Sequence, residues 1–323
     1  MTRKEFARIL MSFIRRYDVF VLSGHIRPDG DSVGSCAAVA LALQAMGKKA
    51  YICLDGDAER YTRLLTPLPV MSEEEYRSVH SFAFIMLDCC EPARTGRAEE
   101  FVMRAQSSLC IDHHVTSREY ADFNYVEPEA TSVSEVLYHL FAEAEIPVTK
   151  EMAEALFMGV AFDTGGFRHS STTAATYRMA ADLVERGADP TKLMNALFHT
   201  KRFSEARGLS LAIRKAKLYD GQILMSCLSQ GDFFKIATQI SEMDGVVGQL
   251  IEIEEAEVAV FMRENEDGSI RVNMRSKARV DVARIAALFG GGGHVRAAGC
   301  TLQVPMLLAR EQVLEAIRRQ LAE

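Results

Sequence analysis

The run Phe82-Ala-Phe-Ile-Met-Leu87 is followed at once by Asp88, so a carboxylate is expected at the rim of a strand buried in a sheet. Neighbouring segments repeat the theme. Strands are predicted over 18–23, 49–54 and 108–111, alternating with helices near 32–46, 132–144 and 151–161, after an amphipathic helix near 3–15. That alternation predicts an α/β fold with helices flanking a mostly parallel sheet. His25, Asp88 and Asp112 each follow one of those strands, and the carboxyl ends of parallel strands are where open sheets bind ligands.

The pattern changes near Gly187-Ala-Asp-Pro190 to consecutive helices that run on to residue 217. Three regions are expected: a catalytic domain over 1–190, a helical linker over 191–218 and a smaller α+β domain over 219–323. In the last, a strand at 222–228 and a helix near 243–253 precede a hairpin-like pair, 256–263 and 269–275, joined at Glu266-Asp267-Gly268. A short helix at 281–289, four glycines, and a terminal strand and helix complete it.

With 323 residues the chain can build two cores, and its apolar and charged content is that of a folded globular protein. No apolar run approaches the roughly 20 residues that span a bilayer, and no signal peptide opens the chain, so a cytoplasmic protein without a membrane partner is expected. The seven cysteines show no C-x-x-C spacing and read as buried small hydrophobes. A net charge of −7 argues against long nucleic acid, whose phosphates need a broad basic surface.

The segment Ser23-Gly-His-Ile-Arg-Pro-Asp-Gly-Asp-Ser-Val-Gly34 puts His25, Asp29 and Asp31 in one strand-to-helix loop. Helix capping by Asp31 and a turn at Asp29 would explain each aspartate alone, but not His25 beside them. Cys110-Ile-Asp-His-His114 and Phe162-Asp-Thr-Gly-Gly-Phe167 add Asp112, His113, His114 and Asp163. Such mixed carboxylate and imidazole donors suit a two-metal hydrolase, whose ions lie roughly 3.5–4 Å apart and share a bridging carboxylate. The same mixture favours Mn²⁺ over Mg²⁺. No serine or cysteine nucleophile motif competes with this reading.

His25-x-x-x-Asp29-x-Asp31, Asp88, Asp112-His113-His114 and Asp163 resemble the four motifs of the DHH phosphoesterase superfamily. The resemblance implies that His25, Asp29 and Asp88 hold one metal and that Asp31, Asp88, His113 and Asp163 hold the other. It also implies that His114 faces the scissile phosphate and that Asp112 orients its neighbours. Further on, Arg275-Ser276-Lys277 and Gly290-Gly-Gly-Gly-His-Val-Arg-Ala-Ala-Gly299 resemble the DHHA1 domain. Arg275, Ser276, Lys277, Gly292, Gly293, His294 and Arg296 are the candidate substrate contacts, the glycines offering bare backbone N–H groups to an anion.

Chain length fits the stand-alone NrnA-like proteins, which implies hydrolysis of short oligonucleotides and of 3′-phosphoadenosine 5′-phosphate, pAp. The partners would then be short oligonucleotides or nucleotide bisphosphates. A phosphodiesterase for cyclic dinucleotides or their linear products, and an inactive nucleic-acid-binding module, are the alternatives. Ser132 and Glu135 read as a capping box; Phe167 and Arg168 read either as packing and surface or as substrate contacts. His80, His139, His169 and His199 have no evident ligand companions and read as structural or exposed.

Overall fold

A computed structural model describes residues 1–89, 91–236, 243 and 245–322, with the side chain of His294 outside the description. The chain divides into two compact units, Met1–Thr200 and Lys201–Glu323.

In the first unit, strands β1 (Val19–Ser23), β2 (Lys49–Ile52), β3 (Ala83–Leu87), β4 (Ser107–Asp112) and β5 (Phe123–Val126) form a sheet in the order β2-β1-β3-β4-β5. All four pairings are parallel. Alternation splits β3 between two cores: Ala83, Ile85 and Leu87 face one side, Phe84 and Met86 the other. The first side is covered by α1 (Arg3–Arg16), α2 (Gly30–Ala45), α3 (Val133–Glu143) and α4 (Lys150–Asp163), and α5 (Ala174–Glu185) packs on α4. The other side is closed by short helical segments that bring in Tyr76 and Phe101, stacked edge to face at 4.9 Å.

Helix α2 is buried on almost every side, and its small residues Gly34, Ala37 and Ala38 let α4 come close. A Cβ on Gly34 would lie 2.5 Å from the Ala155 carbonyl oxygen, and one on Gly159 would lie 2.4 Å from Asp31 Oδ1. The two glycines therefore set how near Asp31 can sit to α4 and its terminal Asp163.

In the second unit six strands are ordered β10-β11-β9-β8-β7-β6: β6 (Lys217–Tyr219), β7 (Ile223–Leu228), β8 (Val258–Glu264), β9 (Ile270–Ser276), β10 (Gly292–His294) and β11 (Ala297–Leu302). The β7–β8 pair is parallel and the others are antiparallel. One face is packed with residues such as Val272 and Met274, among them side chains of α8 (Val282–Leu288) and α9 (Met306–Ala322). The other face is covered over β7 and β8 by α6 (Phe203–Lys215) and α7 (Val246–Leu250).

Several sequence expectations shift. The anticipated helix over 243–253 is shorter, as α7, and Asp244 lies outside the described residues. Strand β5 and helix α5 were not anticipated; β5 has four residues on a sheet edge with Phe123 exposed, too short and wet to show alternation. The glycine tract closes one element and begins another. Gly290 and Gly291 N–H groups donate to the Ala287 and Ala286 carbonyls, closing α8, and Gly292–His294 pair with β11. The six described cysteines are free thiols, and Cys90 lies outside the described residues. No described helix is long and apolar enough to cross a membrane.

Candidate functional site

Strand ends and helix starts aim the donor residues of the first unit at one point. The His25 loop runs from β1 into α2, where Asp29, not Asp31, is the N-cap: the N–H groups of Asp31 and Ser32 both donate to its Oδ1 at 3.0 Å. That leaves Asp29 Oδ2 facing His25 Nε2 at 3.5 Å. Asp31 caps a different helix. Its Oδ2 and Oδ1 accept from the N–H groups of Val133 and Ser134 at 2.7 and 3.0 Å, in the first turn of α3.

Asp88 follows β3 in the left-handed region, at φ 56, an uncommon state for a non-glycine residue and one that turns its side chain out of the strand's alternation. Its two oxygens face different partners: Oδ2 lies 3.4 Å from His25 Nε2, and Oδ1 lies 3.7 Å from His113 Nε2. His113 Nε2 is also 3.4 Å from Asp163 Oδ2, at the end of α4. The turn after Asp163 is held by Gly165 and Gly166, both at positive φ, and by His169, whose Nδ1 donates to the Asp163 carbonyl at 2.9 Å.

Tautomers are fixed from behind. His25 Nδ1 donates to the Ile26 carbonyl at 2.8 Å and His113 Nδ1 to that of Ala130 at 3.2 Å, so each ring turns Nε2 toward the acids. His114 differs: its Nδ1 is bound to Asp112 Oδ1 at 2.8 Å, and that oxygen also accepts the N–H groups of His113 and His114. Asp112 is fully buried.

The electrostatics are those of too many acids in too little water. Burial, reinforced by Asp88, holds the Asp31 carboxyl well above the usual range, and burial with Asp31, Asp88 and Asp29 does the same to Asp163. Burial also raises Asp88, partly offset by His25. Desolvation opposes charge on His25, yet Asp29 and Asp88 outweigh it and push its pKa up to about 11. Without a cation, burial favours protons on these three acids. His25, Asp29 and Asp88 form one set that could hold a metal ion, Asp31, His113 and Asp163 a second, and Asp88, His113 and His114 an overlapping third. Within each set the donor atoms lie within 4.8 Å of one another. Hard carboxylates with neutral imidazoles suit divalent cations, whose charge would displace those protons.

Two supporting residues escaped the sequence. Tyr120 donates to the Cys89 carbonyl at 2.5 Å, pinning the turn after Asp88, and no motif marks it. Gly159 permits the α2–α4 approach, and a glycine in each of two alanine-rich buried helices was the available signal. Ser132 does cap α3, but Glu135 binds the Thr131 N–H at 2.8 Å instead of returning to Ser132. Phe167 stacks on Tyr177 with centroids 5.6 Å apart, and Arg168 Nε donates to the Gly165 carbonyl at 3.1 Å.

The candidates in the second unit separate into two kinds. Ser276 is buried and donates to the Val280 carbonyl at 2.6 Å; Lys277 donates to the Ile253 and Glu254 carbonyls; Arg296 donates to Val280 at 2.9 Å. These three serve the chain's own backbone. Arg275 is exposed on β9 with no acid partner among the described residues, and desolvation alone lowers its pKa. Gly293 (φ 144) could not carry a side chain, since a Cβ would meet the Ala297 carbonyl oxygen at 2.4 Å; Gly292 is open. The side chain of His294 lies outside the described residues.

Buried acids and imidazoles gathered at the carboxyl ends of parallel strands are the setting of metal-assisted hydrolysis. Residues 19–160 match the DHH family, N-terminal domain, and residues 223–323 match the DHHA1 domain. The chain belongs to the DHH–DHHA1 family of phosphoesterases. It is 31% identical to the bifunctional oligoribonuclease and PAP phosphatase NrnA of Thermus thermophilus, over 93% of this chain and 89% of that protein. The Bacillus subtilis protein of the same name is 28% identical over 91% of this chain and 92% of its own length. A crystal structure of an exopolyphosphatase-related protein from Bacteroides fragilis has a TM-score of 0.88 at 22% identity, covering 97% of this chain and 95% of that one. It shares the fold.

Proposed function

We propose that the cluster binds two divalent ions, Mn²⁺ by preference, and that the chain hydrolyses oligonucleotides of about two to five nucleotides, as well as pAp. The observation that carries this is Asp88, whose two oxygens face two separate donor sets. His25, Asp29 and Asp88 would hold one ion; Asp31, Asp88, His113 and Asp163 would hold the other. Such a pair lowers the pKa of water and neutralises charge on the phosphoryl oxygens.

The chain's own groups supply the rest. Asp112 raises the pKa of His114, which favours the imidazolium as a proton donor to the leaving oxygen. Arg275, which has no acid partner among the described residues, would hold an anionic part of the substrate that does not react. The substrate classes are those named for the similar NrnA proteins.

The test is a substrate panel with Mn²⁺-loaded protein: pAp, the dinucleotide pApA, a five-mer, a long single strand, cyclic di-AMP and pyrophosphate. Rapid release of AMP from pAp, pApA and the five-mer supports the proposal. Preference for the cyclic dinucleotide, or equal rates on the long strand, overturns it.

A further inference from the structure

We propose that Glu135 is a positioning residue for the metal site that includes His113: through the Ala130–Thr131 peptide it orients and polarises that imidazole, making Nε2 a better ligand for a divalent cation; this rests on the two-metal reading above.

The three imidazoles of the cluster are backed in three different ways. His114 Nδ1 meets the Asp112 carboxylate directly, at 2.8 Å. His25 Nδ1 donates to the Ile26 carbonyl, and the N–H of that same peptide, carried by Arg27, donates to the Asp55 carbonyl at 2.9 Å. That chain of bonds ends on a neutral acceptor. His113 lies between the two cases. Its Nδ1 donates to the Ala130 carbonyl at 3.2 Å, and the N–H of the same peptide, carried by Thr131, donates to Glu135 Oε2 at 2.8 Å. A single peptide separates this imidazole from a carboxylate.

Glu135 is diverted to make that contact. It is the third residue after the Ser132 N-cap, and its own N–H donates to Ser132 Oγ at 3.0 Å, so its carboxylate is in register to close a capping box on the Ser132 N–H. Instead it reaches one residue further back and accepts both the N–H and the hydroxyl of Thr131, the latter at 2.5 Å. The peptide it holds is fixed from the other side as well: the Ala130 N–H donates to the Glu127 carbonyl, and the Glu127 N–H to the Asp112 carbonyl, each at 3.0 Å.

Glu135 is buried, and away from water hydrogen bonds in series polarise one another. A carboxylate on the N–H side of an amide shifts electron density onto the carbonyl oxygen, which then accepts more strongly from Nδ1. A stronger pull on the Nδ1 proton leaves Nε2 richer in electrons, the effect a carboxylate has when it backs a metal-bound histidine directly. Nε2 is the atom of His113 that faces Asp88 Oδ1 at 3.7 Å and Asp163 Oδ2 at 3.4 Å.

Mn²⁺ titrations of the metal-free full chain, followed by the EPR signal of the free ion, test this without turnover. Glu135→Gln keeps the shape and an oxygen for both Thr131 bonds but removes the charge. It should weaken one of the two ions about tenfold, the low end for such supporting groups, and leave the other within about twofold. The Tm of the metal-free chain should fall by about 4 °C at most, the scale of a charge lost from a helix's first turn. In a His113→Ala background the same substitution should cause no further loss of affinity. Wild-type affinities in Glu135→Gln would make the residue a brace and overturn the proposal. Equal weakening of both ions would overturn it too, as would an undiminished further loss without His113, which would route the effect through Asp31 at the start of α3. A wild type that binds no ion refutes the two-metal reading and this proposal together, whereas two ions held equally well by wild type and Glu135→Gln refute this proposal alone.

Discussion

In the first unit, Asp29, Asp31, Asp88 and Asp163 crowd around His25 and His113, and burial raises the pKa values of three of the four acids. In the second, Arg271 and Arg275 share one face of β9 with no acid partner among the described residues. One region crowds acids where water is scarce; the other sets arginines on a sheet face that is half-buried at Arg271 and exposed at Arg275. On the proposed reading a cation would complete the first and an anion the second. A desolvated acid cluster can supply chemistry once neutralised, whereas guanidiniums can only hold and orient.

The comparison is broken most severely by removing the cations. Chelation should abolish hydrolysis, by several orders of magnitude at about 1.4 kcal/mol for each tenfold, and Mn²⁺ should restore it. It should also lower Tm, because ions that bind only the folded chain stabilise it. Retained activity in excess chelator would remove the charge argument for the first unit.

Next in size is a change confined to the second unit. Arg275→Ala should cut kcat/KM on pAp or a dinucleotide by about 2–4 kcal/mol, the scale of a lost charged contact. Metal content should stay normal, and bis-p-nitrophenyl phosphate, which offers no second phosphate, should be hydrolysed almost as before. Equal losses on both ester types would place Arg275 at the reaction centre.

Gly159→Ala tests the packing that places Asp31. The added methyl would press on Asp31 Oδ1 and Ser134 Oγ, so unfolding free energy should fall by about 1–3 kcal/mol and metal affinity should fall with it. A calorimetric Tm unchanged from wild type would show that α2 and α4 can separate at no expense.

The smallest effect is a displacement of the pH profile. His114 has a raised pKa because Asp112 binds its Nδ1, so a proton-donor role gives activity below that pKa and loses it as pH rises through it. Asp112→Asn removes the charge and lowers the His114 pKa. The basic limb of kcat/KM should therefore move to lower pH, and a limb that stays put would exclude His114 as the acid.

Much of this site was legible because its chemistry is written at strand ends. The run before Asp88 announces a buried strand, and Asp112 ends another with His113 next to it, so the donors could be gathered without the fold in hand. What could not be read was reach. Asp29 and Asp31 both fit an N-cap, and the assignment turned on where α2 begins, a matter of one or two residues. That Asp31 caps α3, a hundred residues away, is a tertiary fact. The pairing of the glycine tract was not legible for a related reason. Glycine carries little strand preference, and it is the partner β11 that draws Gly292–His294 into the sheet. Ser276 and Lys277 looked like ligand contacts beside Arg275, but only the packed structure shows them satisfied by backbone carbonyls.

The central claim is that Asp88 joins two metal sites. Metal content by plasma mass spectrometry, after equilibration with Mn²⁺ and removal of free ion, should give two ions per wild-type chain. Asp88→Asn should hold fewer and hydrolyse pAp several orders of magnitude more slowly. One ion in the wild type, or an Asp88→Asn chain that keeps both ions and a near-normal rate, would contradict the account.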